Sequence, residues 1–280
     1  MKKLFFALSC VAIAAIVACG GKKTENPAQE GEQNKENTTE QATQTEEQQP
    51  EQQADATQKA QLTLVVDSVI PENMKAVYAN GDFMPCKAVF FADDLSGEKM
   101  GEFPSKWSLS NGDAEVAKFD DKMVIHLSNN DAHLLPKVAG ESKNYLPEVY
   151  TIEFDYYCNG DEDFNATYHL FLGGANGDDA GEITLYTEDN VSWNMRKTDG
   201  EYISGSGAIG DKEKKDAWNH FSISQAKDKM KVYINGHRVA NLVGVENPGS
   251  FSIKGENLED HRYYFTNIRM TTELPAASQQ

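Results

Sequence analysis

The sequence predicts an all-β protein, an antiparallel β-sandwich over residues 61–272, and three observations carry that expectation. Short runs alternate between apolar and polar residues, clusters of turn residues punctuate them, and no long stretch of 3.6-residue periodicity competes with them. In Tyr150–Cys158, Ile152, Phe154, Tyr156 and Cys158 fall on one face, while Thr151, Glu153, Asp155 and Tyr157 fall on the other. Successive strand side chains point to opposite faces, so this run reads as a half-buried strand. Weaker versions occur at Val116–Phe119, Met123–Leu127, Tyr168–Leu172, Ile183–Tyr186, Val191–Met195, Phe221–Ser224 and Tyr263–Met270.

The sharpest local element is Lys229–Val239. Asn235-Gly236 accepts the positive φ angles of a type I′ turn, so the flanking residues form a two-residue hairpin with Met230, Val232 and Ile234 facing inward. The charged run Asp211–Asp216 reads as a solvated loop or a single helical turn. Trp107, Trp193 and Trp218 are expected in the core, and His220 is expected at a strand start with its ring bonded to backbone.

An ordered series of segments then carries a family resemblance: Phe90–Gly97, Gly101–Trp107, Asn144–Pro147 with Thr151–Asp155, Trp218-Asn219-His220, Val232–Gly236 and Thr266–Arg269. Over roughly residues 83–270 this series resembles the laminin-G-like, concanavalin-like jelly roll found N-terminal to the peptidoglycan-binding domain in outer-membrane-protein-A family proteins of Bacteroidetes. The resemblance implies that the last strand returns beside the first, pairing Tyr264–Met270 with Val89–Ala92. Eleven residues follow Arg269, so the peptidoglycan-binding domain of that family is not expected here.

The resemblance also raises hydrolysis, because concanavalin-like glycosidases carry Glu-x-Asp-x-Glu or Glu-x-Asp-x-x-Glu on a strand. Glu153 and Asp155 match the first two acids, but Tyr157 or Cys158 stands where the second glutamate belongs. Two carboxyl groups must flank the scissile bond, so no enzyme is expected and the acids read as an exposed strand face. An EF-hand reading of Asp161-Glu162-Asp163 fails at Ala166 and Leu172, which replace the loop glycine and the closing glutamate. A looser calcium site could use Asp161 and Asp163, or Asp178 and Asp179; simple polar loops are the alternative. No nucleophile elbow occurs, and the six His lack metal-binding spacing.

Residues at positions alternate to the core offer a carbohydrate-binding face: Tyr157, His169, Tyr186, Asn194 and Arg196 could stack on and hydrogen-bond a glycan. Alternation alone also turns residues outward, so the pattern is compatible with an ordinary surface. Cys86 and Cys158 are an even pair, and a disulfide closing so long a loop would stabilise by about 4–5 kcal/mol. Against it, Cys158 belongs to the apolar face, where a free thiol packs as a small hydrophobe.

The N-terminal region has a different chemistry. Lys2 and Lys3 precede an apolar run from Leu4 to Ala18, shorter than the ~20 residues of a membrane span and suited to a signal peptide over residues 1–18. Ile16-Val17-Ala18-Cys19-Gly20 resembles a bacterial lipobox, which implies a diacylglycerol and a further acyl chain, a palmitate or similar, on Cys19. Cys10 lies within the apolar run and would be lost with the signal; ordinary secretion with cleavage near Ala18 is the alternative. Residues 20–60 hold 4 basic against 9 acidic residues and no Val, Ile, Leu, Met or aromatic residue. A segment with nothing to bury cannot offset its ordering entropy, so residues 19–60 read as a lipidated, disordered tether reaching roughly 35 Å. Residues 273–280 read as a flexible tail.

The whole chain has 26 Lys and Arg against 44 Asp and Glu, a formal charge of −18, which argues against general binding to nucleic acid. The expected protein is an outer-membrane lipoprotein, facing the periplasm or the cell surface, that presents a non-catalytic sandwich to a protein or envelope-assembly partner, or alternatively to a glycan.

Overall fold

A computed structural model describes residues 65–66, 83–128, 131–138, 143–159, 167–174, 178–187, 189–256 and 263–273, all within the unit Gln53–Gln280. Cys10, Cys19, the tether, Asp161 and Asp163 lie outside the described residues. The architecture is the expected β-sandwich of two antiparallel sheets. The nine-stranded sheet contains β1 (Val65–Val66), β2 (Ala88–Asp93), β4 (Ala114–Phe119), β5 (Lys122–Leu127), β7 (Val149–Cys158), β12 (Ala217–Ala226), β13 (Lys229–Ile234), β14 (His237–Val243) and β16 (Tyr264–Thr272). The seven-stranded sheet contains β3 (Trp107–Asn111), β6 (His133–Pro136), β8 (Thr167–Gly173), β9 (Asp179–Tyr186), β10 (Asn190–Arg196), β11 (Tyr202–Ala208) and β15 (Ser250–Glu256).

In the nine-stranded sheet the path is β1-β2-β16-β7-β12-β13-β14, with β5 joining β16 and β4 joining β5. The last strand lies beside β2, pairing Ile268 with Asp93 and Thr272 with Ala88. The seven-stranded order is β11-β10-β9-β8-β15-β6-β3. Asn235 and Gly236 take φ of 49° and 80° between β13 and β14, as a type I′ hairpin requires. The charged run at 211–216 contributes only a 3₁₀ turn over Gly210–Lys212.

The inner faces meet through Ile152, Phe154 and Tyr156 on one side and Tyr168, Leu170, Leu172, Ile183 and Leu185 on the other, all fully buried. Aromatic pairs join the layers, with Tyr156 and Tyr168 centroids 6.0 Å apart and Trp107 and Phe265 also 6.0 Å apart. Each such side chain contributes about 1.5–3 kcal/mol by leaving water. Trp107 is the core anchor expected of it, and its indole N–H donates to Asp93 Oδ2 at 2.8 Å. Trp193 is half-buried against the core under edge strand β11; a Cβ on Gly205 would sit 2.6 Å from its ring, so that strand needs a glycine there.

Trp218 departs from expectation. Its strand partner is Tyr157, and both rings lie on the outward side of the nine-stranded sheet, half-buried with Phe119 and Tyr264. The backbone register decides this, since Phe221 and Ile223 use the inward positions of β12. Cys86 and Cys158 are not bridged and lie on opposite sides of the same sheet: Cys158 is in the core, whereas Cys86 hydrogen-bonds Thr271 on the outer side.

Candidate functional site

The two outer faces of the sandwich differ. On the nine-stranded sheet, Glu153 and Asp155 point away from the core yet are 0% and 6% exposed, which corrects the expectation of an exposed acidic strand face. The cause is the segment 83–87. Phe83 packs edge-on against Tyr233 of β13 with centroids 5.1 Å apart, Cys86 reaches Thr271 of β16, and Ala88 enters β2. This strap therefore crosses β12, β7 and β16, and Thr151, Glu153, Ser222 and Thr271 along its path are buried.

Beneath and beside the strap, His220 bridges two acids and does not bond to backbone through its ring. Its Nδ1 is 2.8 Å from Asp155 Oδ1 and its Nε2 is 3.3 Å from Glu153 Oε2. Asn267 donates to Asp155 Oδ2 at 2.7 Å, and the Arg269 guanidinium is 3.7 Å from Glu153 Oε1. Burial opposes a charge on His220, but the hydrogen bonds and negative charge of Asp155 and Glu153 raise its pKa overall. Asp155 is likewise opposed by burial and still held below its ordinary value by His220, Asn267 and Lys122. Burial, with Glu273 and Glu153 nearby, pushes the Cys86 thiol up to about 11. This is a sealed ionic cluster.

The outer face of the seven-stranded sheet is open. Register aligns Ser252, Phe171, Glu182, Asn194 and Ser204 across β15, β8, β9, β10 and β11, and aligns Lys254, His169, Thr184, Ser192 and Ser206 in the adjoining row. Because Tyr168, Leu170 and Leu172 fill the core, His169 and Phe171 must point outward. His169 Nδ1 bonds Glu182, and its Nε2 lies 3.0 Å from Glu256 Oε2. Thr184 donates to Glu182 Oε1 at 2.8 Å, and Lys254 donates to Glu256 Oε1 at 2.8 Å. The His169 ring stacks on Phe171 with an interplanar angle of 13°, and His133 flanks Phe171 while bonding Ser252 at 2.8 Å. Hydrogen bonding from His169 holds Glu182 below its ordinary carboxylate range, and Lys254 does the same for Glu256.

The sequence-derived sugar residues do not form one group. His169 is at the centre of this face, and Tyr186 and Asn194 lie on it exposed, with Ser204 donating to Asn194 Oδ1 at 2.7 Å. Arg196 lies at its margin, committed to Glu246 by paired bonds of 2.5 and 2.9 Å and to Asp178 at 2.6 Å. Tyr157 is on the opposite sheet. Asp178 is thus engaged by Arg196, and Asp179 Oδ1 accepts the Gly181 N–H at 2.8 Å; among the described residues no group of three His, Cys, Asp or Glu is placed to hold a metal ion. Sequence reading missed Phe171, Glu182, Thr184, Lys254 and Glu256. Glu182 and Thr184 share the alternation that exposes Tyr186 and were within reach of it, whereas the cross-strand alignment that gathers the others was not.

No family model matches the chain, and no curated protein sequence matches it. Among solved structures the chain is similar to carbohydrate-binding module CBM66 from Bacillus subtilis at 15% identity and a TM-score of 0.42, covering 60% of this chain and 96% of that one. It is similar to sheep galectin-11 at 12% identity and a TM-score of 0.35, covering 45% and 91%. The receptor-binding domain of botulinum neurotoxin D aligns at 12% identity and a TM-score of 0.46, covering 67% of this chain but half of that chain's length. Among the described residues no helix is long and apolar enough to cross a membrane.

Proposed function

We propose that this chain is a non-catalytic glycan-binding module that binds its ligand across the outer face of the seven-stranded sheet and is held at the cell envelope by lipid on Cys19. The observation that carries the reading is the contrast in cover. One face is closed by the strap, while the other carries the neighbouring, partly buried rings of Phe171 and His169 amid hydrogen-bonding groups fixed by the sheet register. Sugar recognition combines a flat ring with a few well-placed polar groups, and both are present here.

Electrostatics supports the non-catalytic reading. A glycosidase acid must hold its proton near neutral pH, which requires a raised pKa. Glu182 and Glu256 are both held low by their neighbours, so neither is set to donate. Titration of the full chain with neutral and charged oligosaccharides tests the reading: saturable binding should be lost in Phe171→Ala and weakened in Asn194→Ala, with no cleavage of the ligand. Retention of binding in Phe171→Ala would place the site elsewhere. Metabolic labelling with a palmitate analogue, wild type against Cys19→Ser, tests the anchor.

A protein or envelope-assembly partner is the second reading, and one observation favours it. Phe119, Tyr157, Trp218 and Tyr264 form a half-exposed aromatic cluster on the other sheet, with Lys122 Nζ 4.3 Å from the Trp218 ring centroid. Aromatic anchors of this kind dominate protein interfaces. Envelope cross-linking that disappears in Trp218→Ala while sugar binding persists would support this reading.

A further inference from the structure

We infer that the open face selects amino sugars bearing a free ammonium group over neutral or acidic glycans. This inference rests on the glycan reading above and deepens it. The whole seven-stranded sheet carries only two Lys or Arg side chains, Lys254 and Arg196. Each is already committed to two carboxylates. Lys254 contacts Asp131 at 2.6 Å and Glu256 at 2.8 Å, and Arg196 contacts Asp178 at 2.6 Å and Glu246 at 2.5 Å. A uronate, sulfate or phosphate group laid on this face would meet carboxylates and find both cations engaged.

The acids exceed what these cations neutralise. Glu182 stands in the middle of the sheet, where among the described residues His169 and Thr184 are the hydrogen-bond donors to its carboxylate, and 31% of its side chain remains exposed. Glu256 is 42% exposed on the far side of the same imidazole. The site is therefore more than an acidic patch. It is a pair of neighbouring rings, His169 and Phe171, with parallel planes and centroids 6.0 Å apart on one strand, and a partly solvated carboxylate at each imidazole nitrogen. A pyranose stacked on these rings would bring an amino substituent within reach of one of the carboxylates, and an ammonium–carboxylate hydrogen bond is stronger than a neutral one. The residues 61–280 hold 20 basic against 35 acidic residues, which gives the long-range field the same sign.

The test uses the full chain and three matched hexamers in mildly acidic buffer: glucosamine, N-acetylglucosamine and galacturonic acid. The glucosamine hexamer should bind about tenfold more tightly than its N-acetylated counterpart at low salt, with the gap closing at about 0.5 M salt as screening sets in. Glu182→Gln and Glu256→Gln should each remove most of the preference, bringing the affinities for the amino and N-acetylated hexamers to within about twofold of one another. Equal binding of the amino and N-acetylated hexamers, or preference for galacturonate, overturns the inference and leaves the glycan reading standing. Failure of all three to bind removes both.

Discussion

His220 and His169 each stand between two carboxylates, on opposite outer faces of one sandwich. The sealed group has side-chain exposures of 3% for His220, 0% for Glu153 and 9% for Asp155. The open group has 13% for His169, 31% for Glu182 and 42% for Glu256. A histidine between two carboxylates thus serves two ends. Under the strap, water cannot solvate a carboxylate left alone, so the ionic contacts are indispensable to the fold. On the open face water reaches Glu182 and Glu256, so the same contacts add less stability and leave these carboxylates available to a ligand.

The largest expected effect is at the sealed cluster. His220→Ala leaves two buried carboxylates without the imidazole that bridges them and should destabilise by about 3–5 kcal/mol, read as a lowered midpoint in denaturant titration. A loss below about 1 kcal/mol would mean that the cluster is wetter than its burial implies. Next is the strap: Phe83→Ala removes a fully buried ring from Tyr233 and should cost about 3 kcal/mol. The same change should speed alkylation of Cys86, whose thiol at a pKa of about 11 is otherwise protonated and shielded at neutral pH. Unchanged alkylation would show that the strap does not depend on Phe83.

A pH profile separates the two faces more finely. His220 is raised above its free value of 6.5, so its stabilisation is complete below that pH and declines as pH rises through the folded-state value. Asp155 is lowered below 3.8, so its contribution is present above that pH and is lost as pH falls through the lower folded-state value. The two together place maximum stability between roughly pH 4 and 6.5. In thermal melts the wild type should lose stability above this window, and His220→Gln should lose less over the same range. The smallest stability effect belongs to His169→Ala, at most about 1 kcal/mol, yet that substitution should abolish sugar binding. A His169 variant as unstable as the His220 variant would erase the distinction between the faces.

Much of this fold was legible because strand periodicity is a local property. The alternation in Tyr150–Cys158 placed Ile152, Phe154 and Tyr156 in the core, and Asn235-Gly236 located the β13–β14 hairpin. The same alternation correctly turned Glu153 and Asp155 away from the core but gave no warning of their burial. That burial comes from Phe83–Lys87, a segment about seventy residues upstream whose route across the sheet has no periodic signature. Trp218 misled for a related reason, since hydrophobicity favours burial but register assigns the side.

From its own order of residues the chain determined an all-β sandwich, the turn that closes its best hairpin and the faces its strands present, because two-residue alternation and positive-φ turns depend on neighbours in sequence. Tertiary structure alone decided which outer face is covered and which side chains meet on the other. Cover and convergence depend on segments far apart in sequence: a strap laid across β12, β7 and β16, and His169, Glu182 and Glu256 brought together from β8, β9 and β15 by pairing register.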